Sequence, residues 1–256
     1  MLTPWLIALV ALIGGLAWRA RTRGLALERR LEHARRELES LQAAFARFAP
    51  LDVIDDIIAR GVSTRSETKE ITVLFADLKG FTALAERLDP ARLVTLLNGY
   101  FQVMGEAIAA HRGHLGKFIG DGLLAFFGGL EPNPWQTNDA LHAALAMRVA
   151  LAAYNRRSQS EGLPPLAVGI GIHRGPVIAG VLGNATLMEY GVIGRTVNLA
   201  ARIEELTRVH DVDILVTEAV RAHGDPRFRV RAMPAAQLKG VADAPATFAL
   251  DGFDHG

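Results

Sequence analysis

The chain has 256 residues, 50% of them hydrophobic and 21% charged, so it is long and apolar enough to bury a sizeable core. Its formal net charge of +1 gives no support to bulk nucleic-acid binding, and no nucleic-acid partner is expected. The absence of cysteine excludes disulfides and thiolate chemistry, and it fits a reducing compartment.

The N-terminal segment is uncharged and strongly apolar over residues 2–18, which is about one membrane crossing at the short end of the usual range. Arg19, Arg21 and Arg23 follow directly, and no Lys or Arg precedes the segment. The positive-inside bias therefore predicts a transmembrane anchor at residues 1–18, with the remainder of the chain in the cytoplasm. The predicted localisation is the cell (inner) membrane, single-pass; the alternative is a buried N-terminal helix.

Residues 19–49 have the 4-3 apolar spacing of a heptad seam, between charged residues of both signs. This spacing predicts a coiled-coil stalk that joins two chains in parallel. The alternative is a single amphipathic helix that lies on the globular part. Pro50 ends the helix, and residues 50–66 form a linker-like segment. The seam positions are Leu27, Leu31, Ala34, Leu38, Leu41, Phe45 and Phe48.

The globular part, residues 67–253, begins with the apolar stretch 71–78, which predicts a buried central strand. Two helical patterns follow, and then two apolar runs flank Gly120-Asp121-Gly122, a turn signal that predicts a hairpin. After a further helix, Arg174-Gly175-Pro176 is interpreted as a turn between two strands. Interleaved strands and helices together with hairpins predict an α+β fold in which helices cover a mixed sheet.

Two carboxylates stand out because each lies in apolar surroundings, Asp77 at a strand end and Asp121 in the hairpin turn. An unpaired buried carboxylate is costly, so each needs a cation or several donors. If neighbouring strand ends bring them together, they can hold two Mg²⁺ ions that polarise phosphates. The alternative is that one is a turn residue and the other a helix cap.

Other residues suit a nucleotide. Gly80 allows a strand-to-helix turn whose N–H groups can hold phosphate. Asn198 and Arg202 share one helix face and suit a ribose and a charged phosphorus centre, although a simple surface pair is the alternative. Lys239, before a glycine, is a further possible phosphate contact. Lys117, four residues before Asp121, is a cation that the hairpin alone does not explain.

Taken together, these stretches resemble the catalytic domain of class III adenylyl and guanylyl (nucleotidyl) cyclases over about residues 67–251. The motifs occur in the order of the family, and five ordered motifs make the resemblance specific. They are ITVLFADLKGFT, GHLGKFIGDGLLAFFG, GIGIHRGPVIAGVLG, YGVIGRTVNLAAR and LKGVADAPATFAL.

The resemblance implies a ferredoxin-like βαββαβ core with extra strands and helices, and a head-to-tail homodimer with shared active sites. It implies that two Mg²⁺ (or Mn²⁺) ions bind to Asp77, Asp121 and the backbone carbonyl of Leu78. Asn198 and Arg202 would come from the other subunit to orient the ribose and stabilise the transition state, and Lys239 would contact phosphate. Lys117 and the position of Gly191 would read the purine. The phosphate cradle would be Lys79, Gly80, Phe81 and Thr82.

The chain departs from the family pattern at two positions. Gly191, seven residues before Asn198, stands where adenylyl cyclases usually carry an Asp or Thr that assists the purine-reading lysine. Arg195 replaces the Asp of a V-I-G-D stretch. Lys117 favours ATP, because guanylyl cyclases tend to carry Glu there, but Gly191 removes the usual second half of the reader. Loss of one such partner weakens discrimination by roughly 1–3 kcal/mol.

The leading hypothesis is a membrane-anchored adenylyl cyclase that converts ATP to cyclic AMP and pyrophosphate. The alternatives are a guanylyl or base-relaxed cyclase that accepts GTP, and a catalytically idle, cyclase-like dimeric regulatory module. A cyclic-dinucleotide synthase on the related fold is disfavoured, because the sequence contains no G-G-D/E-E-F-type stretch.

Overall fold

The computed structural model describes residues 32–33, 35–36, 66–183, 188–237 and 244–255. The chain divides into two units, Met1–Ser63 and Thr64–Gly256, and the elements below belong to the second. The predicted anchor, the linker up to residue 65 and most of the predicted stalk lie outside the described residues, as does Lys239. The assignments of the stalk, the linker and Lys239 therefore stay predictions.

Membrane localisation is the sequence prediction that the structure overturns. Across the described ranges, none of the helices combines the length and the apolar composition that a bilayer crossing requires. This finding contradicts the predicted single-pass inner-membrane localisation, which is therefore wrong.

Seven elements form the first part of the fold in the order βααββαβ. Helices α2 and α3 cross between strands of one antiparallel sheet, whose order begins β2-β3-β1-β4. Apart from the short α1, this is the predicted βαββαβ core. The elements are β1 (Glu67–Leu78), α1 (Phe81–Ala85), α2 (Pro90–Ala110), β2 (His114–Ile119), β3 (Gly122–Phe127), α3 (Gln136–Ser160) and β4 (Val168–Gly183).

The remaining elements extend the same sheet beyond β4. Strand β6 pairs parallel to β4, and β8 and β7 follow it in antiparallel pairing, while β5 pairs with the far half of β4. The mixed sheet confirms the α+β prediction. The elements are β5 (Met188–Ile193), α4 (Arg195–Val209), β6 (Ile214–Thr217), α5 (Glu218–Arg221), β7 (Phe228–Ala232) and β8 (Thr247–Phe253).

Strand β1 is central, and its side chains alternate between two packed layers. Leu74 and Ala76 belong to the large apolar cluster that includes residues of α2 and α3. Ile71 and Val73 belong to a second cluster on the other face, which includes Ala200 of α4. Because side chains along a strand alternate with period two, Asp77 falls on the same face as Ile71 and Val73. The sheet therefore presents the Asp77 carboxylate to the layer that contains α4.

Strand β4 corrects one sequence prediction. The expected turn at Arg174-Gly175-Pro176 is absent, since β4 runs unbroken through these residues and pairs with β1 from Glu67↔Ala179 to Leu78↔Val168. Gly-Pro is a local turn signal, but twelve paired positions along a central strand outweigh it.

Two glycines of β4 let helix α4 lie close to the sheet. A Cβ at Gly171 would stand 2.2 Å from the backbone nitrogen of Glu204 and 2.5 Å from the backbone oxygen of Ala200. A Cβ at Gly169 would stand 2.4 Å from Oε1 of Glu204. The distance between α4 and the sheet therefore depends on these two glycines. The positions of the side chains on α4 depend on them as well.

We expect Gly171→Ala to lower the free energy of unfolding by about 3 kcal/mol, because the clash is with helix backbone that cannot rotate away. Urea unfolding followed by circular dichroism measures the change. Gly252→Ala is the matched control, since its Cβ would meet only the guanidinium end of Arg229, a flexible side chain. Equal midpoints for the two variants would contradict the close approach of α4.

Candidate functional site

The site forms where β1 ends beside the β2–β3 turn. Asp77 is the penultimate residue of β1, and Asp121 follows Gly120, whose φ of 64° makes the turn. Pairing of β1 with β3 through Ala76↔Leu123 places the turn beside Asp77. The approach is close, because a Cβ at Gly122 would lie 3.0 Å from Oδ1 of Asp77. The two predicted metal ligands are thus brought together.

The electrostatics of the two carboxylates are those of a cation site. Burial raises the pKa of Asp121, and the charge of Asp77 and the contact between the two side chains raise this pKa further. A carboxylate beside a second negative charge is stabilised when a cation lies between the two. The site therefore favours a positively charged occupant.

The donor set fits a hard divalent cation. Asp77, Asp121 and the carbonyl of Leu78 offer oxygen only, which is the ligand type that Mg²⁺ and Mn²⁺ prefer. No group of three or more His, Asp or Glu side chains that could hold a metal occurs in the described part of the chain. A site of two carboxylates leaves positions open for substrate phosphates, as Mg²⁺ sites for nucleotides usually do.

Arg208 is a site residue that the sequence interpretation missed. Its Nη2 donates to Oδ2 of Asp77 at 2.5 Å and to the carbonyl of Leu78 at 3.3 Å, so the guanidinium contacts two of the three predicted metal ligands. Its Nη1 donates to both carboxylate oxygens of Glu204, at 3.1 and 3.2 Å. A cation bound to Oδ2 of Asp77 would compete with this guanidinium for the same oxygen.

Glu204 holds Arg208 from inside the protein. Its side chain is only 3% exposed, whereas that of Arg208 is 37% exposed. Burial raises the pKa of Glu204 to about 7, even though Arg208 acts to lower it. The sequence does contain a signal for this pair, because Glu204 falls on the buried stripe of α4, four residues after Ala200, and Arg208 follows four residues later.

A buried hydroxyl also lies near the acidic pair. The hydroxyl of Tyr100, on α2, is buried and has no hydrogen-bond partner among the described residues. Burial raises the pKa of Tyr100 well above its usual range, and the charges of Asp77 and Asp121 add to this effect. Tyr100 therefore keeps its proton and has a donor that protein groups do not use.

The residues predicted to hold phosphate fall into two groups, one bonded to other protein groups and one still available as candidates. The backbone N–H of Lys79 donates to the carbonyl of Ala167 at 2.8 Å, and its ammonium donates to the carbonyl of Val212 at 2.8 Å. Lys79 is thus occupied by protein groups. Gly80 has a φ of 73°, and α1 begins immediately after it with no side-chain cap. The N–H groups of Phe81 and Thr82 therefore stay candidates for phosphate.

Asn198 and Arg202 lie on α4, four residues apart, as the sequence predicts. Asn198 is exposed, and Arg202 donates from Nη1 to Glu205 of its own helix at 2.7 Å. Within the described residues, neither side chain is recorded in contact with Asp77 or Asp121. An exposed Asn198 and a partly exposed Arg202, neither with a recorded contact to these carboxylates, are compatible with a site shared between subunits.

Lys117 is placed on β2, and its ammonium donates to Oε1 of Glu189 on β5. Gly191 lies two residues beyond Glu189 on the same strand, opposite Gly180 of β4. The structure thus joins Lys117 to the strand that carries Gly191, through a glutamate that the sequence interpretation did not consider. Nothing in the local pattern shows this contact, because 72 positions separate its partners.

Comparison with known proteins identifies the domain. A family model for the adenylate and guanylate cyclase catalytic domain matches residues 64–252. The chain is 36% identical over 216 residues to an adenylate cyclase of Anabaena cylindrica, a match that covers 81% of this chain and 41% of that protein. The chain spans less than half the length of the curated relatives it matches first.

Solved structures agree with this match. The crystal structure of a guanylyl cyclase is similar with a TM-score of 0.70 and 33% identity, over 74% of this chain and 95% of that one. An adenylyl cyclase from P. aeruginosa is similar with a TM-score of 0.70 and 28% identity, over 75% and 98%. Proteins named for either nucleotide are therefore among the relatives. The chain belongs to the family of adenylate and guanylate cyclase catalytic domains.

Proposed function

We propose that this chain is an adenylyl cyclase that converts ATP to cyclic AMP and pyrophosphate. The observation that carries the proposal is the convergence of Asp77, Asp121 and the Leu78 carbonyl beside the start of α1. This arrangement pairs an oxygen-rich cation site with the backbone N–H groups of a helix start that has no side-chain cap, and a nucleoside triphosphate can use both.

The reaction is an internal displacement. The ribose 3′-hydroxyl loses its proton to solvent and its oxygen forms a bond to the α-phosphorus. The bond from this phosphorus to the bridging oxygen of the β-phosphate breaks, and pyrophosphate leaves. Asp77, Asp121 and the Leu78 carbonyl would hold two Mg²⁺ or Mn²⁺ ions. When bound, these supply Lewis acidity, which lowers the pKa of the 3′-hydroxyl and offsets charge on the phosphates.

The remaining groups would come from the partner subunit in a head-to-tail homodimer. Asn198 orients the ribose, and Arg202 donates hydrogen bonds where negative charge develops on the α-phosphate. The exposure of Asn198 and the position of Arg202 support this assignment, because both can be presented to another chain. Lys239 is proposed as a phosphate contact from that same subunit.

Lys117 is proposed to read the purine and to favour ATP. A guanylyl or base-relaxed activity is the second candidate, since the relatives include a guanylyl cyclase and Gly191 has no side chain to assist. An idle regulatory module is disfavoured, because this chain has Asp77, Asp121, Asn198 and Arg202 together.

The test is an assay of the purified full chain with ATP and GTP side by side in Mg²⁺ and in Mn²⁺, with the products identified by mass. We expect cyclic AMP from ATP, and a rate with GTP at least about tenfold lower, the usual effect of one mismatched polar group. Faster formation of cyclic GMP from GTP than of cyclic AMP from ATP would establish the second candidate. No cyclic nucleotide from either substrate would contradict cyclase function.

A further inference from the structure

The contact between Lys117 and Glu189 is the starting observation. The two side chains are 38% and 49% exposed, so the pair lies at the surface with one side open. Lys117 lies on β2 and Glu189 on β5, strands that are not neighbours in the sheet order. An exposed pair of this kind contributes little to stability. Its geometry therefore calls for a reason other than folding.

Glu189 also lies beside the missing side chain of Gly191. The two residues share one face of β5, because they are two positions apart. An ideal Cβ on Gly191 would stand 4.0 Å from Oε1 of Glu189, the same oxygen that accepts from Lys117. That Cβ would also stand 3.0 Å from Cδ1 of Leu182, which is too close without adjustment. A side chain at position 191 would thus point beside the Glu189 carboxylate, and in its absence Glu189 is the acidic group next to Lys117.

We propose that Glu189 is the acceptor half of the purine reader and determines base specificity together with Lys117. The inference rests on the proposed function and deepens it. One charged donor and one carboxylate acceptor stand side by side at a partly open surface. The adenine edge has the complementary pair, an acceptor at N1 and a donor in the 6-amino group. Lys117 donates to N1, and Glu189 accepts from the amino group.

The pair is also stable in the absence of nucleotide. Without nucleotide, the ammonium and the carboxylate satisfy each other, so neither is left as an unpaired charge. The adenine edge replaces this single contact with two, while both charged groups keep a partner. Leaving either group unpaired in a closed site would cost binding free energy, which is how polar sites reject a base that lacks the matching group.

The experiment combines a protein change with a substrate change. Glu189→Ala and Glu189→Gln are compared with the unaltered full chain on ATP and on purine riboside triphosphate, which lacks the 6-amino group. We expect Glu189→Ala to lower kcat/KM for ATP about 10- to 100-fold, mainly through KM, and to leave the analogue nearly unaffected. Glu189→Gln keeps a carbonyl acceptor and is expected to lose less.

A matched control and a second measurement make the outcome decisive. Glu218→Ala removes another glutamate of an exposed ion pair, 43% exposed and bonded to Arg221. It is expected to leave kcat/KM unchanged for both substrates. Calorimetric binding of a non-cyclisable ATP analogue repeats the comparison without turnover, so the reader is tested even if the chain proves idle.

The outcomes separate the two proposals. Equal losses on ATP and on the analogue, or no loss in rate or binding, would overturn the role of Glu189 while cyclic AMP formation by the unaltered chain stands. With GTP measured as a third substrate, a loss of kcat/KM confined to GTP would overturn the adenine assignment. Absence of cyclic AMP with intact, Glu189-dependent ATP binding would overturn the proposed function and leave the reader established.

Discussion

Asp77→Asn is expected to lower kcat for cyclic AMP formation by about 10³-fold or more, at saturating ATP and Mn²⁺. The amide keeps the size of the side chain but removes the charge that a divalent cation needs as ligand. The side chain of Asp77 is 28% exposed and is not part of any apolar cluster that the described residues form, so the isosteric amide should leave the packing unchanged. Initial rates from purified protein, with product identified, measure the loss, and thermal unfolding shows that the fold is intact.

Two further variants isolate the cause. Asp121→Asn is expected to lower kcat by a similar factor. Among the described residues, no contact between Asp121 and Arg208 is recorded. A similar loss in both variants would therefore not be explained by the release of Arg208 from Asp77. Asp254→Asn, which alters an exposed partner of Arg229, serves as the matched control and is expected to retain the full rate. Wild-type rates in either Asp77→Asn or Asp121→Asn would rule out the metal assignment.

Mixing two inactive chains is expected to restore activity. Asp77→Ala removes a cation ligand, and Arg202→Ala removes the group proposed to come from the partner subunit. In a two-fold dimer, random mixing makes half the dimers mixed, and each mixed dimer has one site with both residues intact. The expected rate is therefore about a quarter of the wild-type rate per total protein.

The measurement is cyclic AMP formation against mixing ratio after the chains have been incubated together long enough to exchange. The rate should peak at equal amounts and fall to background at either end. A mixture of Asp77→Ala with Asp121→Ala is the matched control, because both residues serve the same subunit's half of the site and no mixed dimer regains a full set. Recovery in that control, or none in the first mixture, would count against a shared site.

Much of the fold follows from local sequence signals. The apolar stretch of β1 and the Asp-Gly turn between β2 and β3 are short-range patterns, and the structure has both where they are expected. The turn predicted at Arg174–Pro176 fails for a physical reason. Its glycine and proline indicate a local bend, but the pairing of β4 with β1 is long-range and is invisible in a window of neighbouring residues.

The site also contains some residues that local sequence predicts and others that only long-range contacts reveal. Asp77 and Asp121 could be predicted, because carboxylates in apolar surroundings demand an explanation. Arg208 could not be placed on Asp77, since 131 positions separate them and only the crossover through α4 brings them together. Glu189 was hidden for the same reason. Its exposed position on β5 has no distinguishing local pattern, and its role becomes visible only beside Lys117.

In the proposed dimer, helix α4 carries groups that belong to two active sites. Arg202 and Arg208 are six residues apart, about 9 Å along the axis, on one rigid helix. In the proposed dimer, Arg202 serves the site that uses the partner's carboxylates, whereas Arg208 contacts Asp77 of its own chain. In that dimer, α4 would connect the Asp77 carboxylate of one site to the Arg202 guanidinium of the other. A substitution that shifts α4 would then be expected to alter both sites of the dimer together.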